Sequence, residues 1–344
     1  MLFIGMDVHK ESTVFDLFDP AAEAKHQHRT VTVPSTREGI ESVLRPLNGR
    51  CKVAFEIGVQ AQWVAAILRP LAAEVQVANP SRIPWLFRDG RKSDSIDARK
   101  LATLLYLGQL PQVHLPRAEV SIWRSLINAR RGDIRRRTMI KNQIRSIVRA
   151  CMLRCPHRSL WTQRGRTWLA AQSFEAGRDS LVRRLTTQLD FMESSIQELE
   201  ADLDRIAQGH PSVALLRTVP GIGPRCAEAV VAYADDVQRF GRSRQFASYF
   251  GMTPTQDASG LINRHGHISK RGPSVVRWVL VEAAHQVIRH CKEMRIFCDR
   301  IRRDRRDRYK RALVATGRKV LTILFAMLRT GTAFDPGRLV RPAA

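Results

Sequence analysis

The feature that most constrains this fold is a series of short strand-like runs in the first hundred residues, separated by helical patterns. The strand-like runs cover residues 2–7, 13–18, 29–33, 52–56 and 74–78. The helical patterns cover roughly residues 35–47, 60–71 and 93–107. Strands that alternate with helices in this way predict an α/β domain with a mixed sheet.

Acids follow a pattern within this region. Asp7 and Glu56 each end an apolar run, and Asp94 and Asp97 are three residues apart at the start of a helix, so they share one helix face. Asp94 and Asp97 are also consistent with a charged first turn, and Asp7 alone with a turn. If that helix crosses the strand ends, four carboxylates converge and need divalent cations, with magnesium expected and manganese as the alternative. The order of the acids resembles the RNase H-like nuclease fold, in particular its RuvC branch.

Positive charge dominates the composition, with 57 lysines and arginines against 32 acids and a formal net charge of +25. Such an excess favours a polyanionic partner, most commonly nucleic acid, although a basic protein without such a partner is the alternative. From residue 118 to about 153 the chain is predicted to be helical and very basic. The cations predicted to bind nucleic acid in this helix are Arg130, Arg131, Arg135, Arg136 and Lys141.

A heptad pattern follows that basic helix. Its apolar positions are Leu185, Leu189, Met192, Ile196, Leu199, Leu203 and Ile206. The pattern predicts a coiled coil, formed either between two chains or as a hairpin with the preceding helix. The sequence therefore predicts three parts: an α/β domain (1–115), a basic helical and coiled-coil region (116–210) and a mainly helical C-terminal domain (211–344).

The C-terminal part carries two glycine-containing motifs. Residues 218–224 resemble a helix-hairpin-helix turn, in which the amides of Gly221 and Gly223 would approach a phosphate; an ordinary packed turn is the alternative. Ser259 precedes a glycine in a segment predicted to be irregular, where the serine is either a presented hydroxyl or a turn former. Arg264, Lys270 and Arg271 flank it with charges suited to phosphate oxygens. One further basic helix is predicted over residues 300–318.

Other features limit the cellular setting. The six cysteines show no zinc-finger spacing, and Cys151, Cys155 and His157 are interpreted as ordinary buried residues rather than a metal site. No leader pattern is evident, and the apolar run over residues 320–328 is too short to cross a bilayer. We therefore expect a cytoplasmic protein without a membrane partner.

The ordered set of motifs resembles the DEDD insertion-sequence transposases, a family that includes the Piv DNA invertase and the bridge-RNA-guided recombinases. In the N-terminal half the resemblance rests on GMDVHK (residues 5–10), FE (55–56) and KSDSIDA (92–98). In the C-terminal half it rests on VPGIG (219–223), FGMTP (250–254), SG (259–260) and ISKRG (268–272). The motifs are short, but their order is specific and covers nearly the whole chain.

The resemblance implies a RuvC-like domain, a coiled-coil linker and a transposase domain, assembled as homodimers or homotetramers. It implies that Asp7, Glu56, Asp94 and Asp97 bind magnesium and that Ser259 is the nucleophile, forming a phosphoserine link to DNA. It also implies donor and target double-stranded DNA and a structured non-coding RNA as partners. Many members carry a doubled serine or glycine here, whereas residues 258–261 read ASGL, so Ser259 has no neighbouring substitute.

Two other functions fit the residues. A RuvC-like nuclease would use water instead of serine and form no covalent intermediate. A non-catalytic nucleic-acid-binding protein would use only the basic helices, and substitution of Asp7 or Glu56 would then leave its activity unchanged.

Overall fold

A computed structural model describes residues 1–79, 93–174, 177–259, 262–303 and 305–340. The chain forms two compact units, Met1–Ala118 and Glu119–Ala344. The first contains a five-stranded mixed sheet and the second is mainly helical, which confirms the predicted classes. Residues 116–210 and 211–344 contribute to one hydrophobic core, and the division of the chain into three parts stays a prediction.

The sheet of the first unit has the strand order β3-β2-β1-β4-β5. Strand β2 is antiparallel to β1 and β3, whereas β4 is parallel to β1 and β5. The carboxyl ends of β1 and β4 therefore lie at the same edge of the sheet. The strands are β1 (Leu2–Val8), β2 (Ser12–Phe18), β3 (His28–Pro34), β4 (Gly49–Glu56) and β5 (Ala72–Ala78).

Helices cover both faces of this sheet. Helices α1 (Arg37–Leu44) and α2 (Ala61–Leu68) share a core with Ile4, Met6 and Phe55 on one face. Helix α3 (Asp94–Tyr106) packs on the other face. Since side chains alternate along a strand, Gly5, Asp7 and Ala54 point to the α3 face. The sequence pattern of each strand thus decides which residues meet α3.

The second unit is built mainly of helices. They are α4 (Ala118–Ala150), α5 (Gln163–Ala170), α6 (Arg178–Ala207), α7 (Pro211–Leu216), α8 (Pro224–Ala234), α9 (Ser243–Tyr249), α10 (Ser274–His290), α11 (Lys292–Arg302), α12 (Tyr309–Thr330) and α13 (Gly337–Val340). Strands β6 (Pro254–Ser259) and β7 (Ile262–Ile268) form a separate two-stranded antiparallel sheet. Within the described ranges, no helix combines the length and apolarity that a bilayer span requires.

The heptad helix α6 lies antiparallel to α4 in the same chain. Lys141 Nζ contacts Glu193 at 2.9 Å, and the earlier Arg130 pairs with the later Glu200. The predicted seam residues Leu185, Leu189, Ile196 and Leu203 are buried. An intramolecular hairpin, one of the two alternatives for this seam, is therefore present. Pairing with a second chain stays a prediction.

The predicted basic helix over residues 300–318 is wrong. Helix α11 ends at Arg302, Arg303 has a left-handed backbone (φ 49°), and α12 begins at Tyr309. Each helix buries its own apolar residues in the same core, with Met294 on α11 and Val320 on α12. Sequence periodicity alone does not reveal this break because arginines continue through it.

Candidate active site

Two of the predicted acids end neighbouring parallel strands on the same face of the sheet. The last register pair of β1 and β4 is Met6 with Phe55, and the next residues are Asp7 and Glu56. Ala54, two residues before Glu56, packs with leucines of α3. Because side chains alternate, Asp7 and Glu56 both lie on the face that α3 covers. Asp7 is half-buried and Glu56 is exposed.

Helix α3 lies directly on β1 because Gly5 has no side chain. A methyl group at Gly5 would lie 1.9 Å from the Ala98 carbonyl oxygen and 2.6 Å from the Ala102 nitrogen, so only glycine permits this approach. The helix begins after Ser93, whose hydroxyl accepts a hydrogen bond from the Ile96 amide. Its first turn therefore carries Asp94 to the end of β1.

His9 joins two of these carboxylates. Its Nε2 atom lies 3.2 Å from Asp7 Oδ2 and 3.4 Å from Asp94 Oδ1. One ligand atom from each of Asp7, His9 and Asp94 lies within 4.8 Å of the others. His9 belongs to the GMDVHK motif, but the sequence analysis assigned it no role. Its position two residues after Asp7 was the available signal.

The electrostatics of Asp7 reflect this crowding. Burial is the largest influence and raises the pKa of its carboxyl above the ordinary value. The contact with His9 lowers that pKa, and the charges of Asp94 and Asp97 raise it. The structure thus brings Asp7, Asp94 and Asp97 into mutual electrostatic range beside the end of β4. A cation at this position would relieve their repulsion.

A fifth carboxylate, Asp16, lies on the same face of the sheet and was missed. It pairs in register with Gly5 and is fully buried. His28 Nδ1 lies 2.6 Å from its Oδ2, and Arg99 Nε of α3 lies 3.7 Å from its Oδ1. Among the described residues, Oδ1 accepts no hydrogen bond. An acid inside the apolar run of residues 13–18 was the signal.

Ser259 ends strand β6, so the expectation of an irregular segment is wrong. The backbones of residues 254–259 and 262–268 pair as a hairpin, with Ser259 opposite Ile262. Gly260 and Leu261, which complete the predicted motif, lie outside the described residues. The flanking cations Arg264, Lys270 and Arg271 are exposed. The hairpin therefore carries Ser259 at its far end, whereas Lys270 and Arg271 lie at its base, after β7.

Most of the cations predicted on α4 have partners within the chain. Arg130 and Lys141 pair with acids of α6, and Arg136 Nη1 lies 2.6 Å from Asp133 Oδ1. Arg131 donates a hydrogen bond of 2.7 Å to Ser274 Oγ. Arg135 is exposed. All of these cations except Arg135 therefore stabilise the second unit through contacts within the chain.

The two glycines of the predicted helix-hairpin-helix turn lie in different surroundings. A methyl group at Gly221 would lie 2.5 Å from the Val287 nitrogen of α10, which makes Gly221 a packing position. Gly223 precedes α8, and no described atom lies within 4 Å of a methyl group placed there. Of the two, Gly223 leaves more room for a phosphate.

Comparisons with known proteins agree with the sequence resemblance. The DEDD transposase model of the IS110 type matches residues 4–153, which include the four predicted acids. A model described as the transposase IS116/IS110/IS902 family matches residues 213–299, which include Ser259. The two matches together cover more than half of the chain.

Relatives in several bacteria extend this similarity. A probable family 20 transposase of Pseudomonas aeruginosa is 29% identical over 355 residues, covering 97% of this chain and 98% of the relative. The transposase of element IS1111A from Coxiella burnetii is 25% identical, covering 73% and 69%. A pilin gene-inverting protein of Moraxella lacunata is 27% identical, covering 41% and 45%.

Proposed function

Because this chain belongs to the transposase family of the IS116, IS110 and IS902 elements, we propose that it cuts and rejoins insertion-sequence DNA through one carboxylate cluster and one serine. Membership in the family makes it a transposase with a DNA substrate. The finer proposal concerns the residues that perform phosphoryl transfer. It is carried by one observation: His9 Nε2 lies 3.2 Å from Asp7 Oδ2 and 3.4 Å from Asp94 Oδ1, so two of the predicted acids lie together at the carboxyl end of β1, beside the end of β4.

The first unit is proposed to have an RNase H-like fold of the RuvC type. Its strand order, with only β2 running against its neighbours, supports this assignment. Acids at the ends of β1 and β4 and on α3 support it further. The two functional regions are the RuvC-like part (1–115) and the transposase domain (211–344), with a helical hairpin between them in sequence (116–210).

The donor set of the first unit fits a hard divalent cation. Carboxylate oxygens are the ligands that magnesium and manganese prefer, and oxygens of Asp7 and Asp94 both lie within 3.4 Å of the same His9 nitrogen. When bound, Mg²⁺ would stabilise negative charge that develops on the phosphate oxygens. The residues that would hold it are Asp7, Glu56, Asp94 and Asp97. His9 occupies part of the cluster by contacting two of them.

Ser259 is the proposed nucleophile of the second unit. Its hydroxyl oxygen attacks the scissile phosphorus, forming a phosphoserine ester while one bond from phosphorus to a deoxyribose oxygen breaks. The serine proton ends on that leaving oxygen. Rejoining reverses the step, because a strand hydroxyl displaces the serine. The phosphoserine ester retains the free energy of the phosphodiester bond that was broken, so rejoining needs no outside energy source.

The partners are proposed to be donor and target duplex DNA, a structured non-coding RNA and further copies of this chain. Exposed Arg135, Arg264, Lys270 and Arg271 offer contacts to phosphate. Gly223 offers an amide at the N-terminus of α8. The RNA and the homodimer or homotetramer rest on the family resemblance.

The test is to trap a covalent protein–DNA adduct with DNA that carries the element ends, in the presence of the element's RNA and Mg²⁺. Ser259→Ala is expected to abolish the adduct, whereas Ser248→Ala, an exposed serine on α9, is expected to retain it. Asp7→Asn and Glu56→Gln are expected to abolish cleavage and keep DNA binding. Glu74→Gln, a partly exposed acid of β5, is the matched control.

Three outcomes would contradict the proposal. An adduct of normal yield in Ser259→Ala would remove the serine assignment. Cleavage without any adduct in the unmodified protein would favour the water-using nuclease. Cleavage that survives both Asp7→Asn and Glu56→Gln would remove the carboxylate assignment.

A further inference from the structure

The base of the β6–β7 hairpin is a tight contact between two chain segments. The segment after β7 donates backbone hydrogen bonds to the segment before β6. The Ser269 amide donates to the Thr253 carbonyl at 2.8 Å, and the Lys270 amide donates to the Gly251 carbonyl at 3.2 Å. The hairpin itself pairs with no other strand in the described part of the chain. Its orientation is therefore decided mainly at this base.

At the base of the hairpin, the backbones of the two segments lie directly against each other. Gly251 has φ +67°, and a methyl group on it would lie 2.1 Å from the Arg271 carbonyl oxygen. From the other segment, a methyl group on Gly272 would lie 2.0 Å from the Tyr249 carbonyl oxygen. The two segments thus hold each other through positions where a side chain does not fit.

Arg277, in the first turns of α10, stabilises the contact between these two segments. Its Nη1 atom lies within hydrogen-bond distance of the carbonyl oxygens of Phe250 (3.1 Å), Arg271 (2.9 Å) and Gly272 (3.0 Å). One nitrogen thereby joins both segments to the helix. Arg277 is partly buried and makes no ion pair with a described carboxylate. Backbone oxygens are thus its main partners.

We propose that Arg277 is a positioning residue for the nucleophile hairpin, holding the far end that carries Ser259 in one orientation. This inference rests on the proposed role of Ser259. Six residues of strand span about 20 Å, so a rotation of roughly 10° at the base would move the far end by about 3 Å. A displacement of about 1 Å can already cost about 100-fold in rate. A two-stranded hairpin is marginally stable alone, which makes its anchor decisive.

The test compares Arg277→Met, Arg277→Lys and Arg295→Met. Methionine keeps length but loses the donors, whereas the lysine ammonium offers three donors for the three carbonyls. Arg295 is the matched control because it also donates to carbonyls, those of Ile288 and Arg289, at the end of α10. Single-turnover adduct formation and DNA affinity are measured on the full chain, together with hydrogen exchange of residues 254–268.

Arg277→Met is expected to slow adduct formation about 100-fold with DNA affinity changed less than about twofold, and to speed hydrogen exchange in the hairpin. Arg277→Lys is expected to recover most of the rate, and Arg295→Met to retain it. A wild-type rate in Arg277→Met, or an equal loss in Arg295→Met, would overturn the inference. If Arg277→Met does not fold, Arg277→Gln replaces it, and hairpin exchange in Arg277→Gln that matches the unmodified protein would overturn the inference.

Failure of the proposed function has a different signature. If the unmodified protein forms no adduct at Ser259, the nucleophile assignment fails. Hydrogen exchange in the hairpin would still report whether Arg277 anchors it.

Discussion

The two units position their proposed functional residues in different ways. In the first, the acids proposed to bind a cation lie at one edge of a packed sheet, where Asp7 and Glu56 follow the last register pair of β1 and β4 and Asp94 begins α3. In the second, the serine is carried by a hairpin whose base is held by Gly251, Gly272 and Arg277. Separating the carboxylates requires several independent elements to move, whereas the orientation of the hairpin depends on the single contact at its base. Small perturbations should therefore affect the hairpin sooner than the cluster, except at the contact between Gly5 and α3.

Gly5 offers the largest expected effect. In Gly5→Ala the new methyl must move the Ala98 carbonyl by more than 1 Å from its 1.9 Å separation, which carries Asp94 and Asp97 away from Asp7. At about 100-fold per ångström, cleavage should fall about 1,000-fold, and Mn²⁺ affinity measured by calorimetry should fall with it. Gly58→Ala, where the nearest atom is 3.6 Å away, is the control. Normal Mn²⁺ affinity in Gly5→Ala would refute this view of α3.

The corresponding change in the second unit is Gly251→Ala. Its positive φ and the nearby Arg271 carbonyl both oppose a side chain, so the base of the hairpin should shift. We expect adduct formation to fall about 100-fold while Mn²⁺ affinity stays unchanged. Gly241→Ala, with its nearest atom at 3.4 Å, should behave like the unmodified protein. Loss of Mn²⁺ binding in Gly251→Ala would show that the two regions are not independent.

The two units also differ in how each accommodates a fully buried carboxylate. Asp16 in the first unit has His28 and Arg99 as partners. Glu228 on α8 is fully buried, and neither of its oxygens accepts a hydrogen bond from a described residue, although Arg225 Nη2 lies 3.0 Å from Oε1. Burial raises the pKa of Glu228 to about 7, and the Arg225 charge only partly opposes this. Glu228 is therefore destabilising when ionised.

The pH dependence follows from this raised pKa. Between the ordinary value of 4.5 and about 7, the folded state holds a proton that the unfolded state has released, so the contribution of Glu228 to stability falls as pH rises through this window. Glu228→Gln removes the penalty. At pH 8 the variant should be more stable by roughly 3 kcal/mol, at about 1.36 kcal/mol per pKa unit between 4.5 and about 7, and near pH 4 the difference should vanish. Urea unfolding at both pH values measures it, and equal stability at pH 8 would contradict it.

Local patterns explain what could be predicted from the sequence. Strand ends with acids and an acid pair in a first turn are visible along the chain, and the structure brings these acids to one edge. The hairpin of residues 254–268 was missed because its strands are polar and contain Pro254 and Gly266, which hide the alternation. Arg277 was missed for a different reason. Its partners are backbone carbonyls, and these leave no side-chain pattern.

The smallest expected effect is a change in stability when His9 is replaced. It tests whether the carboxylates of the first unit need a cation. The half-exposed imidazole of His9 contacts Asp7 and Asp94, so His9→Gln should lower stability by less than about 1 kcal/mol without divalent ions. Saturating Mg²⁺ stabilises the folded state by mass action and takes over the neutralisation of both carboxylates. The difference between the variant and the unmodified protein should then disappear in thermal unfolding with Mg²⁺. If the difference grows instead, His9 is itself a ligand and the cluster binds its cation through nitrogen as well as oxygen.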